Sequence, residues 1–405
     1  MTAETINQII GINESYQLPD RMMEILLSEE KEKVMDEFMN AGEKLDHDWF
    51  TEYFEEEHSN KSKFSQDFTP HSVGRIVAEI AGQAEMIADI CAGTGGLTIE
   101  LWNKNKNAYY HCEEISERAL PLLIFNMAIR NMNGEIYHCD TLKLDIMTVY
   151  ELRKGKKYSE IKYGHPKKLK GEFDTIISNP PYSMPWNGDS DERFKKYGIP
   201  PKSKGDYAFI EHGLWLMKKG GTATFILPHG VLFRSGREGE IRKNIVKDNI
   251  WKLIIGLPEK LFLNTQIPVC IIQLKESSKE IQIINADQEF EKQGKINAMT
   301  DEMQDKIIRI VKERIQVEGL SEIVTMQAIE DNGYNLNIPR YVRKVIQEEI
   351  IDIAKVIKDI CSIEKEIKEA EEKLIEDFEN FIYQNKEEGE KVKNAVKEWK
   401  EMTCD

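Results

Sequence analysis

The chain has 405 residues, 40% of them apolar and 13 of them proline, enough for one large folded domain with helical extensions. No apolar run approaches the ~20 residues needed to span a bilayer, and residues 1–16 lack a basic segment followed by an apolar one, so neither a membrane protein nor a signal peptide is expected. A net charge of −16 argues against a protein that grips nucleic acid through its own basic surface; if the ligand is DNA, a partner has to supply much of the phosphate contact.

Residues 1–50 read as amphipathic helix, with Met22, Ile25 and Leu26, then Val34, Phe38 and Met39, at helical spacing. Residues 55–63 are polar and loop-like. Strand-like and helix-like segments then alternate. Strands are expected at 86–90, 108–112, 135–139, 173–178, 222–227, 251–255 and 269–274, the last two closing the series. Helices are expected at 96–103, 117–131, 206–217 and 238–247. The alternation predicts an α/β fold with a doubly wound, mostly parallel, Rossmann-like sheet, whose ligands bind at the carboxyl ends of the strands. In the tail, Ile353, Val356, Ile360, Ile363, Ile367, Ala370 and Leu374 recur in steps of three and four, a coiled-coil seam that breaks at Asp377 and resumes weakly at Phe381. So narrow a stripe suits a partner helix better than the chain's own core. The expected divisions are an N-terminal helical region (1–55), the sheet domain (56–342) and a partner-binding tail (343–405). Cys91, Cys112, Cys139, Cys270, Cys361 and Cys404 are scattered without CxxC or Cys/His spacing, which predicts buried free thiols in a reducing cytoplasm and no zinc site.

The run Asp89-Ile90-Cys91-Ala92-Gly93-Thr94-Gly95-Gly96 leaves the first strand of the sheet and opens a helix. Its glycines permit a tight turn and close approach of backbone to a nucleotide-like ligand, and the absence of a following Lys-Ser/Thr pair excludes a phosphate-cradling loop. Glu113 and Glu114 stand at the end of the next strand, where an acid can accept hydrogen bonds from both ribose hydroxyls; Glu114 is the candidate, whereas Glu113 suits a solvated face. Asp140, ending the third strand, either bonds the adenine amino group of a cofactor or caps a helix. In Gln66-Asp67-Phe68-Thr69-Pro70-His71, Thr69 suits a helix N-cap with Pro70 at the first position, and the same helix N-terminus would receive the carboxylate of an amino-acid cofactor.

Asn179-Pro180-Pro181-Tyr182 follows the strand ending at Ser178. Two prolines fix their φ angles and remove two N–H groups, leaving carbonyl acceptors and one outward Asn side chain. A planar amine can direct its two N–H donors at the Asn179 amide oxygen and the Pro180 carbonyl while Tyr182 lies flat against the ring that carries it. That describes recognition of an adenine, cytosine or amide nitrogen about to be methylated. Beyond the corner, residues 185–204 carry Trp186, Arg193, Lys195, Lys196, Lys202 and Lys204, either a phosphate-contacting segment or a polar insertion loop.

Taken in order, these segments resemble the DNA adenine-N6 methyltransferases, and among them the modification subunit of type I restriction-modification systems. The resemblance runs from about Phe64 to Tyr341. It also takes in Glu114-Ile115-Ser116, Asn126-Met127, Asp140-Thr141-Leu142, Tyr197-Gly198-Ile199-Pro200-Pro201, Asp206-Tyr207-Ala208-Phe209-Ile210, Leu227-Pro228-His229-Gly230-Val231-Leu232-Phe233, Gly239-Glu240-Ile241-Arg242, Gly256-Leu257-Pro258 and Asn335-Leu336-Asn337-Ile338-Pro339-Arg340-Tyr341. It departs where Ala92, in place of the usual cysteine, precedes Gly-Thr-Gly, and in its shorter N-terminal helical part. The resemblance implies S-adenosylmethionine as donor, with residues 66–71, Asp89, Gly93, Thr94, Gly95 and Gly96 around it and Glu114 on its ribose. It also implies a DNA substrate and a complex with a separate specificity subunit, a restriction subunit and a second copy of the chain. The expected reaction is an in-line displacement in which Asn179 and Pro180 pull the adenine N6 towards tetrahedral geometry. The base would be flipped onto Tyr182, with Trp186 or Phe262 as further stackers, although Phe262 suits the core better. Competing readings are methylation of RNA bases or of protein glutamine, and a non-catalytic cofactor-binding scaffold.

Overall fold

A computed structural model describes every residue except 43, 52, 54–68, 187, 189, 263, 264, 266, 295, 344–351, 384, 404 and 405. The N-terminal segment, expected as amphipathic helix, includes the short helices α1 (Ala3–Ile10), α2 (Leu18–Leu26) and α3 (Lys31–Asn40). Gly11, with φ of 76°, ends the first in a left-handed cap, and Pro19 stands in the first turn of the second. Their apolar residues, among them Ile6, Met22, Ile25 and Phe38, are buried in one cluster with residues from the sheet.

The chain continues through α4 (His71–Ala81), β1 (Met86–Ile90), α5 (Gly96–Lys104), β2 (Tyr109–Glu114), α6 (Leu120–Ile129), β3 (Asn133–Asp140), β4 (Asp145–Arg153), β5 (Glu160–Tyr163) and β6 (Phe173–Ser178). It then forms α7 (Asp206–Leu216), β7 (Met217–Pro228), α8 (Arg237–Lys247), β8 (Trp251–Gly256), β9 (Val269–Lys275) and β10 (Glu280–Asn285). After a small β11–β12 hairpin (Glu291–Gln293, Ile296–Ala298) come α9 (Asp301–Glu313), β13 (Ser321–Thr325) and α10 (Met326–Asp331). Among the described residues the main sheet has eleven strands in the order β13-β10-β8-β9-β7-β6-β1-β2-β3-β4-β5. The central strands β3, β2, β1, β6 and β7 are parallel, as expected of a doubly wound sheet; β4 and β5 extend one edge antiparallel, and β9 runs antiparallel between β7 and β8. The expected series is therefore extended by β4, β5, β10 and β13.

Side-chain alternation sends successive residues to opposite faces: Ile87, Ile177 and Ile255 join the core beneath the N-terminal helices, Ala88, Ile176 and Ile254 the core on the other face. Both faces of the central strands are covered, which is why Ile87, Ala88, Asp89 and Ile90 are all buried. Chain order runs outwards from β1 to β2 and β3, then returns through β6 and β7 on its other side. The β1/β6 boundary is thus a topological switch point, with a crevice at the strands' carboxyl ends. Asp89 lies opposite Ile177, and the Ser178 hydroxyl donates to the Ile90 carbonyl, so the loops after β1 and β6 start side by side.

Residues Met1–Val345 form one compact unit and Ile346–Asp405 a second. The second is a pair of helices, α11 (Ile353–Asn380) and α12 (Lys386–Thr403); α11 is capped by Asp352, whose carboxylate accepts from the Ala354 and Lys355 amides. The helix continues through Asp377, an exposed residue whose charge interrupts the apolar stripe without interrupting the backbone. Ile353, Val356, Ile360, Ile363, Ile367 and Leu374 are exposed. Cys112, Cys139 and Cys270 are buried thiols and Cys91 is half-buried, whereas Cys361 is exposed and Cys404 lies outside the described residues. Among the described residues no helix is long and apolar enough to cross a membrane.

Candidate active site

A cavity of about 510 Å³ opens where β1, β2, β3 and β6 end. It brings together Thr69, Asp89, Gly93, Thr94, Gly96, Glu114, Asp140, Asn179, Pro180, Pro181 and Tyr182. Gly95, Pro70 and His71 are not on its wall, and Gln66, Asp67 and Phe68 lie outside the described residues. His71 opens α4, where its ring bonds Glu100, which raises the imidazole pKa above its usual value.

The glycine loop coils through three left-handed residues, Cys91 (φ 67°), Gly93 (φ 59°) and Gly95 (φ 97°). A Cβ on Gly95 would stand 2.9 Å from Leu123 Cδ1, whereas one on Gly93 or Gly96 would meet no atom within 4 Å. The first glycine lets the loop pack; the other two keep the cavity open. Glu114 is fixed by backbone: Oε2 accepts from the Gly93 amide and Oε1 from the Ser116 amide, each at 2.7 Å. A carboxylate has about four acceptor positions, so two hydroxyls can still be bound there. Burial raises the Glu114 pKa despite these bonds.

Asp89 Oδ2 accepts from the Thr98 hydroxyl at 2.6 Å, while Oδ1 is buried without a partner among the described residues. Burial pushes this carboxyl up to about 7. Asp140 Oδ1 accepts from the Leu142 and Lys143 amides at 3.1 Å, and Oδ2 pairs with Lys143 Nζ at 2.8 Å. It therefore caps a turn leading to β4 and not a helix, with its residue still on the cavity wall.

On the opposite side, Asn179 Nδ2 donates to Thr69 Oγ1 at 2.9 Å, and the Tyr182 hydroxyl donates to Asn179 Oδ1 at 2.8 Å. The first bond orients the amide so that its oxygen faces the tyrosine. Thr69 is thus committed to Asn179; the cap residue of α4 is Pro70, and no side chain caps that helix. Tyr182 meets the buried Phe262 edge-on, with centroids 6.2 Å apart. Trp186, expected as a stacker, is buried beside Phe194 with its indole N–H on the Pro201 carbonyl at 3.1 Å, so it has no free face to offer a base.

Two further expectations are corrected by burial. Glu113 is 4% exposed, not solvated, and accepts from His111 and His212 at 3.1 Å. Burial alone would raise its pKa, but the two imidazoles hold it well below the usual carboxylate range. Arg193, one of the residues offered either as a phosphate contact or as part of a polar insertion loop, is buried: it donates to the Thr141 carbonyl at 2.9 Å, to the Leu142 carbonyl and to Asp191. Lys195, Lys196 and Lys202 of the same segment are exposed, Lys196 paired with Asp248 at 2.7 Å. The sequence reading missed Asp48 altogether. Buried, it accepts from the Phe50 amide (3.0 Å), Thr51 Oγ1 (2.9 Å), Asn126 Nδ2 (2.8 Å) and Thr94 Oγ1 (2.5 Å), fastening the N-terminal segment to the glycine loop. No local pattern marks it, because two of its partners lie 46 and 78 residues away.

Known proteins resemble this chain in sequence and fold. The N-6 DNA Methylase family profile matches residues 46–350, beginning two residues before Asp48. The type I restriction enzyme MjaVII methylase subunit of Methanocaldococcus jannaschii is 28% identical over a 427-residue alignment that covers 94% of this chain and 69% of that protein. The MpnII methylase subunit of Mycoplasma pneumoniae is 30% identical over 347 residues, 78% of this chain and 62% of its own length. Among solved structures, the methyltransferase subunit of a type I restriction-modification system from Streptococcus thermophilus superimposes with a TM-score of 0.64 at 29% identity, covering 73% of this chain and 63% of that one. The chain thus spans between about three-fifths and seven-tenths of the length of each of these three relatives. With the sheet, the glycine loop and the Asn-Pro-Pro-Tyr corner in place, the profile match establishes that this chain belongs to the N-6 DNA methylase family.

Proposed function

We propose that the chain transfers a methyl group from S-adenosylmethionine to N6 of an adenine flipped out of DNA, as the modification subunit of a cytoplasmic type I restriction-modification complex. The observation that carries this reading is the single cavity shared by the glycine loop, Glu114 and the Asn-Pro-Pro-Tyr corner. The donor fits the residues present. It is a cation with a ribose, and the cavity offers an unpartnered buried carboxylate oxygen on Asp89, a backbone-fixed Glu114 and the room kept by Gly93 and Gly96. S-adenosylmethionine, when bound, supplies a methyl group on an electrophilic sulfonium.

The chain's own part is positional. An amine entering the corner takes over the Asn179 oxygen from the Tyr182 hydroxyl and directs its second N–H to the Pro180 carbonyl. Two accepted hydrogen bonds concentrate the nitrogen lone pair, which is otherwise delocalised into the purine ring. Freed from Asn179, Tyr182 turns its ring to the base. No strong base is needed beforehand, since the methylated ammonium loses its proton readily. Sequence reading is assigned to a separate specificity subunit of the complex. The apolar stripe of α11 suits a helix of that subunit, and a restriction subunit and a second copy of the chain complete the assembly. The test is a methyl-transfer assay with labelled donor on DNA, RNA and protein, using the chain co-expressed with the products of its neighbouring reading frames. Label in DNA, mapped to adenine, is expected; label in RNA or glutamine, or none, would overturn the reading.

A further inference from the structure

The Asn-Pro-Pro-Tyr corner does not hold itself. Ser183, the next residue, has φ of 52°, a conformation in which non-glycine residues are strained. Something outside the corner must over-determine it. Asp206, the fully buried first residue of α7, accepts from the Ser183 amide with Oδ1 at 2.7 Å and from the Ser183 hydroxyl with Oδ2 at 3.1 Å. Arg234 completes a ring, donating from Nη1 to Asp206 Oδ2 at 2.6 Å and from Nη2 to Ser183 Oγ at 2.8 Å. The Arg234 side chain is itself steadied by Glu238 Oε1 at 3.1 Å. The pairing extends beyond the ring, with the Gly205 amide on the Met184 carbonyl at 2.8 Å and the Trp186 amide on the Lys202 carbonyl at 3.0 Å.

Gly230 makes room for the arginine. A Cβ on it would stand 2.3 Å from Arg234 Nε, and its three nearest atoms all belong to that guanidinium, so a methyl group there displaces it. Neither Asp206 nor Arg234 is on the cavity wall. Burying the Asp206 carboxylate is costly unless its hydrogen bonds are satisfied, and here the Ser183 amide and hydroxyl and the half-buried Arg234 satisfy them, fixing the residue that follows Tyr182.

We propose that Asp206 and Arg234 are positioning residues for methyl transfer, clamping Ser183 so that Tyr182 and Asn179 stand ready for the amine. The proposal rests on the methyl-transfer reading of the cavity. It is tested in the full chain co-expressed with its neighbouring-frame products, using Asp206→Asn, Arg234→Met, Arg234→Lys and Gly230→Ala. Three quantities are read: turnover on DNA at saturating S-adenosylmethionine, donor affinity by calorimetry, and amide hydrogen exchange of the peptide covering residues 182–186.

Asp206→Asn sets an NH2 group against the guanidinium. It and Arg234→Met are expected to lower kcat about a hundredfold and to speed exchange of the peptide about tenfold, with donor affinity changed less than about threefold. Arg234→Lys should recover about a tenth of wild-type turnover, since one ammonium cannot bridge both partners as the planar fork does. Gly230→Ala should match Arg234→Met, and it carries the test if the Asp206 variant fails to fold. Turnover within about threefold of wild type in these variants, or exchange unchanged from wild type, overturns the clamp. A wild-type complex that methylates nothing overturns the reading of the site instead, and the exchange measurement still decides whether Ser183 is clamped.

Discussion

On the loop wall of the cavity, Gly93 and Gly96 leave open space, Asp89 presents an unpartnered oxygen, and Glu114 is held by backbone amides. On the corner wall, polar groups interlock: Thr69 with Asn179, Asn179 with Tyr182, Ser183 with Asp206 and Arg234. One wall is shaped by what is left out, the other by side chains that constrain each other. The first arrangement suits a site that must admit a ligand of fixed shape, the second a site whose geometry must be set before the ligand arrives. Changes on the loop wall should therefore appear in donor affinity and changes at the corner in turnover.

The largest effect is expected from Asn179→Ala or Tyr182→Ala, which should lower kcat about a thousandfold, ~4 kcal/mol of lost transition-state stabilisation, with donor affinity within about threefold of wild type. Single-turnover transfer beside calorimetric donor binding measures both; a parallel loss of affinity would mean that the walls are one unit. Glu114→Ala should do the reverse, weakening donor binding about a hundredfold through two lost charge-assisted hydrogen bonds while leaving kcat at saturating donor nearly intact. A kcat that falls as far as the affinity breaks the distinction.

The pH dependence sharpens it. Because burial lifts the Asp89 carboxyl to about 7, the native chain binds a proton between that pH and the unfolded carboxyl's pKa that the unfolded chain does not. Stability therefore falls as pH rises through this window. A cationic donor prefers the ionised form, so its affinity should drop about tenfold per unit below pH 7. The profile should be flat in Asp89→Asn; a wild-type profile equally flat would remove Asp89 from the donor's environment. The smallest effect belongs to Tyr182→Phe, which keeps the ring and removes the hydroxyl that engages Asn179. The bond is worth ~1 kcal/mol, so turnover should stay within about fivefold of wild type and the apparent affinity for DNA should rise. A large fall in kcat would give that hydroxyl a role beyond holding the amide.

The strands that carry the site were legible because each is a short apolar run ending at a turn signal; β1 and β6 match their expected limits. The strands β4, β5, β10 and β13 were not: the residues of β4 and β5 are only partly apolar, and β10 and β13 pair with each other across the intervening hairpin and α9. Glu113 was misread for want of a partner, although His111, two residues earlier on the same strand, shares its face and was a signal within reach. Arg193 could not be told from a phosphate ligand, because the carbonyls that bury it come from a loop 51 and 52 residues earlier. The glycine loop and the diproline corner were legible because their shape is set by backbone chemistry, which follows from residue type.

The exposed isoleucines of α11 carry a thermodynamic consequence. A 28-residue helix with its apolar stripe in water has little to offset the entropy of ordering its side chains, so its folding is linked to whatever covers it. If a partner subunit covers the stripe, as proposed above, mass action makes the melting temperature of the tail a function of that subunit's concentration. An excess of uncovered chains would carry a half-melted, protease-sensitive end, and the cell could use that difference to keep the numbers of assembled and orphan subunits in balance.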